Sequence, residues 1–387
     1  MHRTHVRPYP YSANNLQRTE ISFAHRQSDN PHSETYLCRM QKTAIKNIRH
    51  LSLHELEEYF ESIGEKKFRV KQTWEWLWQK NAMSFGDMTN LSKELRQKLG
   101  ENFTLPALSI HTTQYSADGT VKTGFKTFDG HLVEGVLIPT EKRYTACVSS
   151  QIGCSLSCKF CATGYIERKR NLTFDEIYDQ VVLINQQSEK IHNHKLTNIV
   201  FMGMGEPLLN YKNVLKSIER ITAADGLAMS PKRITVSTAG VAKQIRQLGD
   251  DKVKFKLALS LHAANDAKRH EIMPVNDTNN IKSLVDALNY FYKQTKNEIT
   301  FEYILFKKFN DSLKDADELV KLYRQAPIDL INIIEYNPID FAKFEKPDEK
   351  TVEAFMNYLE KNRVNVRLRR SRGKDIDAAC GQLANKN

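Results

Sequence analysis

The sequence predicts an α/β fold: a largely parallel sheet that closes partly or fully into a barrel, preceded by a small helical domain and a short antiparallel region. Three observations predict it. After Cys161, six or so strand-period segments alternate with helix-period ones, the pattern of repeated βα units. Between about 110 and 150, runs of Thr, Val, Phe and Tyr are broken by Asp118-Gly119 and Asp129-Gly130, dipeptides that favour tight hairpin turns. From Leu51 to about Leu105, apolar residues recur at three- and four-residue steps.

In chain order, residues 1–39 show neither helical nor strand periodicity and hold four of the twelve histidines. They read as a disordered extension or an over-extended start, in which Cys38 has no role. Residues 40–106 form the helical domain. Its Lys66, Lys67, Arg69 and Lys71 lie beside Trp74, Trp76 and Trp78, a mixture suited to RNA, although tryptophans on a short helix are more often core. Residues 107–150 are the strand-rich junction and residues 151–387 the barrel. Thr173-Phe174-Asp175-Glu176 is a capping-box pattern that opens a helix to about Gln187. Strands follow at 196–202, 233–237, 254–261, 298–305, 329–335 and 365–368, with helices near 211–224, 280–295, 312–325 and 348–362. Such a barrel places functional residues at the C-terminal ends of its strands.

Composition narrows the function. Of 387 residues, 40% are hydrophobic and 27% charged, with 16 Gly and 11 Pro, which excludes collagen-like, disulfide-scaffold and wholly disordered chains. No stretch approaches the roughly 18 apolar residues that span a bilayer. Fifty-seven basic against 46 acidic residues give +11, which suits an anionic partner, with nucleic acid the leading candidate.

Of six cysteines, Cys154, Cys158 and Cys161 fall within eight residues, as C-x3-C-x2-C. Grouped cysteines in a long chain point to a metal or redox site kept reduced in the cytosol, not to an extracellular disulfide framework. Three closely spaced thiolates can hold three corners of a cubane iron–sulfur cluster and leave the fourth iron open to substrate. A zinc site with Cys147 or a histidine as fourth ligand is the alternative, but no second C-x2-4-C knuckle accompanies it. Met202-Gly203-Met204-Gly205-Glu206-Pro207 follows directly on a predicted strand; its glycines admit close backbone approach and its carboxylate can accept from an ammonium group.

The cysteine spacing, with Phe160 before the third thiol, resembles the motif of the radical S-adenosylmethionine (SAM) superfamily, and Gly205-Glu206-Pro207 resembles that superfamily's amino-group-binding motif. CVSSQIGCSLSCKFCATG, FMGMGEP, SLHAANDAKRHEIMPVN and DIDAACGQL together resemble the RlmN/Cfr family of RNA methyltransferases from about Met40 to the C-terminus. Pro207 and VEGVLIPTEKRYTACVSSQ favour the RlmN branch.

The resemblance implies a partial (βα)6 barrel, a [4Fe-4S] cluster on Cys154, Cys158 and Cys161, and two SAM molecules per turnover. It implies methylation of C2 of an adenosine in 23S rRNA and in tRNA 3′ of the anticodon. That carbon is electron-poor and does not attack a SAM methyl, so a radical route is needed. Cys380 would carry the methyl, Cys147 would resolve the adduct through a transient disulfide, and Glu134 would accept the C2 proton. SAM contacts would come from Gly205, Glu206, Ser237, Ser260, Leu261, His262 and Asn337. A flavodoxin-like or ferredoxin-like donor, a cytoplasmic location and a monomer are expected. Without the resemblance, Cys147 reads as a buried strand cysteine, Glu134 as a solvent-facing glutamate, His262 as a satisfied core histidine and Asn337 as a turn residue. The acid-free basic run from Lys361 to Lys374 either neutralises phosphate near Cys380 or is a solvated face. Two other functions are Cfr-like methylation at C8 and a non-catalytic, metal-stabilised RNA-binding protein.

Overall fold

The computed structural model describes residues 46–385; Cys38 and the extension of 1–39 lie outside them. Helices α1 (Leu53–Ser62), α2 (Lys67–Trp78) and α3 (Lys93–Asn102) come first. Ser52 and Glu55 form a reciprocal capping box that starts α1, so its first turn is satisfied locally. An antiparallel meander follows: β1 (Ser109–Tyr115), β2 (Val121–Lys126), β3 (Leu132–Thr140) and β4 (Arg143–Cys147). The two Asp-Gly turns lie where the sequence predicts, each glycine with φ +85°.

From β4 the pairing turns parallel. The chain runs α4 (Phe174–His192), β5 (Asn198–Phe201), α5 (Tyr211–Thr222), β6 (Ile234–Thr238), α6 (Ala242–Asp250) and β7 (Lys256–Ser260). It continues through α7 (Asp266–Ile272), α8 (Ile281–Thr295), β8 (Ile299–Leu305), α9 (Leu313–Tyr323), β9 (Leu330–Glu335), α10 (Glu349–Lys361) and β10 (Val366–Arg369). The ten strands lie side by side in chain order, with β4 to β10 all parallel. Capping at Thr173–Glu176 starts α4 as expected, but the helix runs five residues past Gln187, because Ser188 is buried on its inner face and Asn193 then ends it at φ +53°. Helices α6 and α7, nine and seven residues long, are additions to the predicted set.

The sheet curls. Met202, just past β5, and Arg369, the last residue of β10, would lie about 24 Å apart in a flat sheet at ~4.8 Å per strand. Instead the Arg369 guanidinium lies 3.8 Å from the Met202 sulfur. The strand edges stay unpaired with each other, and the chain after β10 bridges the gap: the Gly373 N–H donates to Asp118 at 3.0 Å, and Asp375 accepts from Ser116 at 2.6 Å. This is a partial barrel whose ends are tied by the C-terminal segment.

The tryptophans of α2 serve packing. Trp78 is buried, stacked on Phe174 at 5.9 Å and edge-on to Tyr178 at 5.3 Å, both on α4. Hiding about 200 Å² of such a ring is worth about 5 kcal/mol as an upper figure. Arg49, also buried, donates to Asp179 of α4 at 2.6 Å. The helices and the barrel therefore share one apolar core.

Candidate active site

A cavity of about 890 Å³, including its open mouth, lies at the C-terminal ends of the parallel strands. Cys154, Cys158 and Cys161 line it from the loop after β4, facing Glu206, Ser237 and Ser260. That loop is shaped by Gly153, whose φ of +74° and 2.3 Å clearance from a Cβ to the Glu167 carbonyl exclude a side chain. Burial pushes the thiol of Cys154 up to about 11 and those of Cys158 and Cys161 up as well; for Cys158 the charges of Cys161 and Cys154 add to it. Bound iron reverses that balance, because ligation deprotonates a thiol outright. The three thiols line one cavity and lie close enough for the charges of Cys161 and Cys154 to act on Cys158, a donor set that suits an iron–sulfur cluster.

The Gly203–Glu206 turn packs directly on Val148–Gln151. A Cβ on Gly205, at φ +90°, would meet that of Gln151 at 2.4 Å, and one on Gly203 would meet Ser149 Oγ at 2.6 Å. Gln151 accepts the Glu206 N–H at 2.9 Å. Both Glu206 oxygens take main-chain donors, Leu208 at 3.0 Å and Ala239 at 2.7 Å, yet burial still raises its pKa. No described ion pair includes Glu206, so an arriving ammonium would find an uncompensated carboxylate at the cavity wall.

Ser237 and Ser260 approach each other at 3.3 Å from the ends of β6 and β7. His262 lies two residues beyond, at φ +55°, with Phe160 edge-on to its ring at 4.7 Å. Burial, then the Arg269 charge, depress its pKa to about 3. Its Nδ1 accepts the Ile304 N–H at 3.1 Å, which leaves the proton of the neutral ring on Nε2. Leu261 and Asn337 do not line the cavity. Leu261 is core, and buried Asn337 donates to the Cys380 carbonyl at 3.3 Å.

Cys380 lines this cavity and also a smaller one that contains Cys147. Both thiols are free. Burial, reinforced by Cys380 and opposed by Arg369, pushes Cys147 up to about 12. The segment around Cys380 is held by Ala162, donating to Gly381 at 2.7 Å, and by Thr163, donating to Leu383 at 2.7 Å.

Residues 46–105 match the family model of the ribosomal RNA large subunit methyltransferase N-terminal domain, and residues 148–333 match that of the radical SAM superfamily. A Cytophaga hutchinsonii protein described as "Probable dual-specificity RNA methyltransferase RlmN" is 57% identical over 91% of this chain and 97% of its own length. The "Dual-specificity RNA methyltransferase RlmN" of Geotalea uraniireducens is 43% identical over 89% of this chain and 97% of its own. The chain belongs to the RlmN family. The crystal structure of a radical SAM methyltransferase from Sphaerobacter thermophilus superposes with a TM-score of 0.83 at 37% identity, covering 88% of this chain and all of that one. SAM and an iron–sulfur cluster are the cofactors of this superfamily, and the three thiols and Glu206 are the residues here that fit them.

Three features of this RlmN-family chain differ from the sequence reading. Glu134 is buried, not solvent-facing, and lines neither cavity: its Oε2 accepts the main-chain N–H groups of Ala384 and Asn385, while Lys122 lies 3.5 Å from Oε1. The basic run is largely exposed but not wholly free: Arg367 and Arg369 share one face of β10, where Arg367 donates to Asn332 and the partly buried Arg369 lies 3.7 Å from Glu302, while Arg372 and Lys374 pair with Asp118 and Glu335. Glu302 was not singled out in the sequence and Arg369 only as one of the basic run, yet both line the main cavity, and Arg369 lines both. The one signal for Glu302 is a lone acid inside the apolar strand ITFEYIL.

Proposed function

We propose that the chain is a radical SAM enzyme that methylates C2 of an adenosine in 23S rRNA and of the adenosine 3′ of the anticodon in tRNA, using two SAM molecules per turnover. One observation carries this reading: Cys380 lines both the cavity of the cluster cysteines and the smaller cavity of Cys147. Cys154, Cys158 and Cys161 would hold a [4Fe-4S] cluster, which would supply the electron that cleaves SAM to a 5′-deoxyadenosyl radical.

The chain's own residues do the rest. Glu206 holds the ammonium of SAM, with Gly205 giving the backbone room to approach; Ser237, Ser260 and neutral His262 offer polar contacts along the same wall. Leu261 shapes that wall from the core, and Asn337 orients the Cys380 carbonyl. The Cys380 thiolate takes a methyl from the first SAM, breaking its carbon–sulfonium bond, and presents the thioether to the radical chemistry. One hydrogen atom of the thioether methyl passes to the 5′-deoxyadenosyl radical and the methylene carbon bonds to C2. Release then requires return of the one electron that opened the reaction, loss of the C2 proton, and a bond from the Cys147 sulfur to that of Cys380 as the Cys380 sulfur–carbon bond breaks, the freed carbon taking up a proton to become the methyl. The disulfide is then reduced before the next turnover. Glu134 is the proton acceptor by family resemblance, but its carboxylate is taken up by the C-terminal segment, whereas Cys147 adjoins Cys380. Electrons come from a flavodoxin-like or ferredoxin-like donor, and the enzyme works in the cytoplasm as a monomer.

The test is an anaerobic reaction of the reconstituted protein with both RNAs, followed by nucleoside mass spectrometry. 2-Methyladenosine from both is expected; 8-methyladenosine alone would assign the Cfr-like reaction instead.

A further inference from the structure

Two exposed rings have no part in the chemistry above, and one of them, Tyr165, lines an open pocket that shares Cys154 and Gly164 with the main cavity. Tyr165, four residues past Cys161, and Phe341, four past Asn337, stack with centroids 5.1 Å and planes 26° apart. They remain 48% and 57% exposed. The Tyr165 hydroxyl donates to the Lys159 carbonyl at 3.0 Å, which fixes its ring. Both rings ride on loops that hold the Cys380 segment: Ala162 and Thr163 bond to Gly381 and Leu383, and Asn337 bonds to Cys380. Gly164, the neighbour of Tyr165, lines the main cavity. Lys159, Arg168 and Lys343 are exposed nearby in sequence, and no described ion pair contains them.

We propose that the Tyr165–Phe341 pair is a stacking platform for an unpaired nucleobase flanking the adenosine that Cys380 addresses. The inference rests on the RNA reading above. An adenosine must leave its stack to reach a thiol inside a cavity, and its departure strips a neighbouring base of one stacking partner. Exposed aromatic faces beside that cavity replace the lost partner whatever the base, and the adjacent cations suit the phosphates on either side.

The test is equilibrium binding of the reconstituted holoenzyme and its F341A and Y165A variants to an RNA hairpin with the target adenosine in its loop. Since both side chains are exposed, the variants should melt with the wild type and keep its cluster absorbance. RNA affinity should fall about 5- to 100-fold in F341A, with Y165F, which keeps the ring, near wild type. An abasic nucleotide beside the adenosine should weaken the wild type by a similar factor and F341A little further. Unchanged RNA affinity in both alanine variants, or strictly additive losses with every abasic position, overturns the platform while leaving the methyltransferase reading intact. A wild type that neither binds the hairpin nor methylates it overturns both. A loss of affinity confined to an acidic flavoprotein donor also overturns the proposal.

Discussion

Glu134 accepts the main-chain N–H of Ala384 at 2.8 Å across 250 residues of sequence, and the same oxygen accepts that of Asn385 at 3.0 Å. A carboxylate in this position latches the segment that carries Cys380. Glutamine offers an oxygen of the same reach and keeps the latch, whereas alanine removes it. Proteolysis of the C-terminal segment should therefore accelerate several-fold in E134A and stay near wild type in E134Q. If Glu134 also takes the C2 proton, turnover falls in both variants; if it acts only as a latch, E134Q retains most of its activity.

Cys147 adjoins Cys380 in the smaller cavity, and no other described cysteine lines it. If Cys147 resolves the adduct on Cys380, C147A should block the step that frees the product. A covalent protein–RNA species should accumulate on denaturing gels and collapse to the protein band after nuclease. Free methylated RNA at the wild-type yield would remove Cys147 from that role.

Much of this arrangement was legible in the sequence because its signals are local. The capping box at Thr173, the Asp-Gly turns and the Cys154–Cys161 spacing each act over a few residues, and each lies in the structure as expected. Glu134 was not legible as a latch, since its partners lie 250 and 251 residues away and are main-chain groups with no side-chain signature. Arg369 was hidden in a run of like charges; it is partly buried at the end of β10 while its neighbours Arg367 and Arg370 are exposed, and no local signal distinguishes it from them. Helix α7 spans seven residues, Asp266–Ile272, too few for a helical period to stand out.

His262 is buried and its pKa is depressed to about 3, so its imidazole stays neutral through the working range. The sign follows from linkage. An unfolded histidine binds its proton near pH 6.5, so between that value and about 3 the unfolded state holds more protons, and stability falls as pH falls through this window. Nuclear magnetic resonance of the imidazole should show no titration between about pH 5 and 8. A shift midpoint near 6.5 would contradict the burial and the Nδ1 acceptor bond together.

Glu206 is raised by burial, in the opposite sense to a salt-bridged carboxylate. Its native state holds a proton more readily than the unfolded chain, so charging it as pH rises lowers the stability of the SAM-free protein. A bound ammonium stabilises the charged form and reverses that cost. The thermal stabilisation given by SAM to the reconstituted protein should therefore grow as pH rises above the ordinary carboxylate range. In E206Q that growth should disappear and SAM affinity should fall about tenfold or more, as expected for loss of a charge-assisted hydrogen bond.

Gly205 tests the same wall through the backbone. At φ +90° an L-residue is strained, and the Cβ of alanine would lie 2.4 Å from that of Gln151, too close for either main chain to ignore. Relief requires the Gln151 backbone to move, and Gln151 is the acceptor for the Glu206 N–H. G205A should therefore lose about 2–5 kcal/mol of stability, combining left-handed strain with overpacking. Among molecules that remain folded, SAM binding should weaken because the carboxylate of Glu206 is displaced, while the three cluster cysteines still take up iron after reconstitution. Calorimetric unfolding, SAM titration and iron analysis on one preparation check all three. A G205A protein with wild-type stability and SAM affinity would mean that the turn has room the present packing denies it.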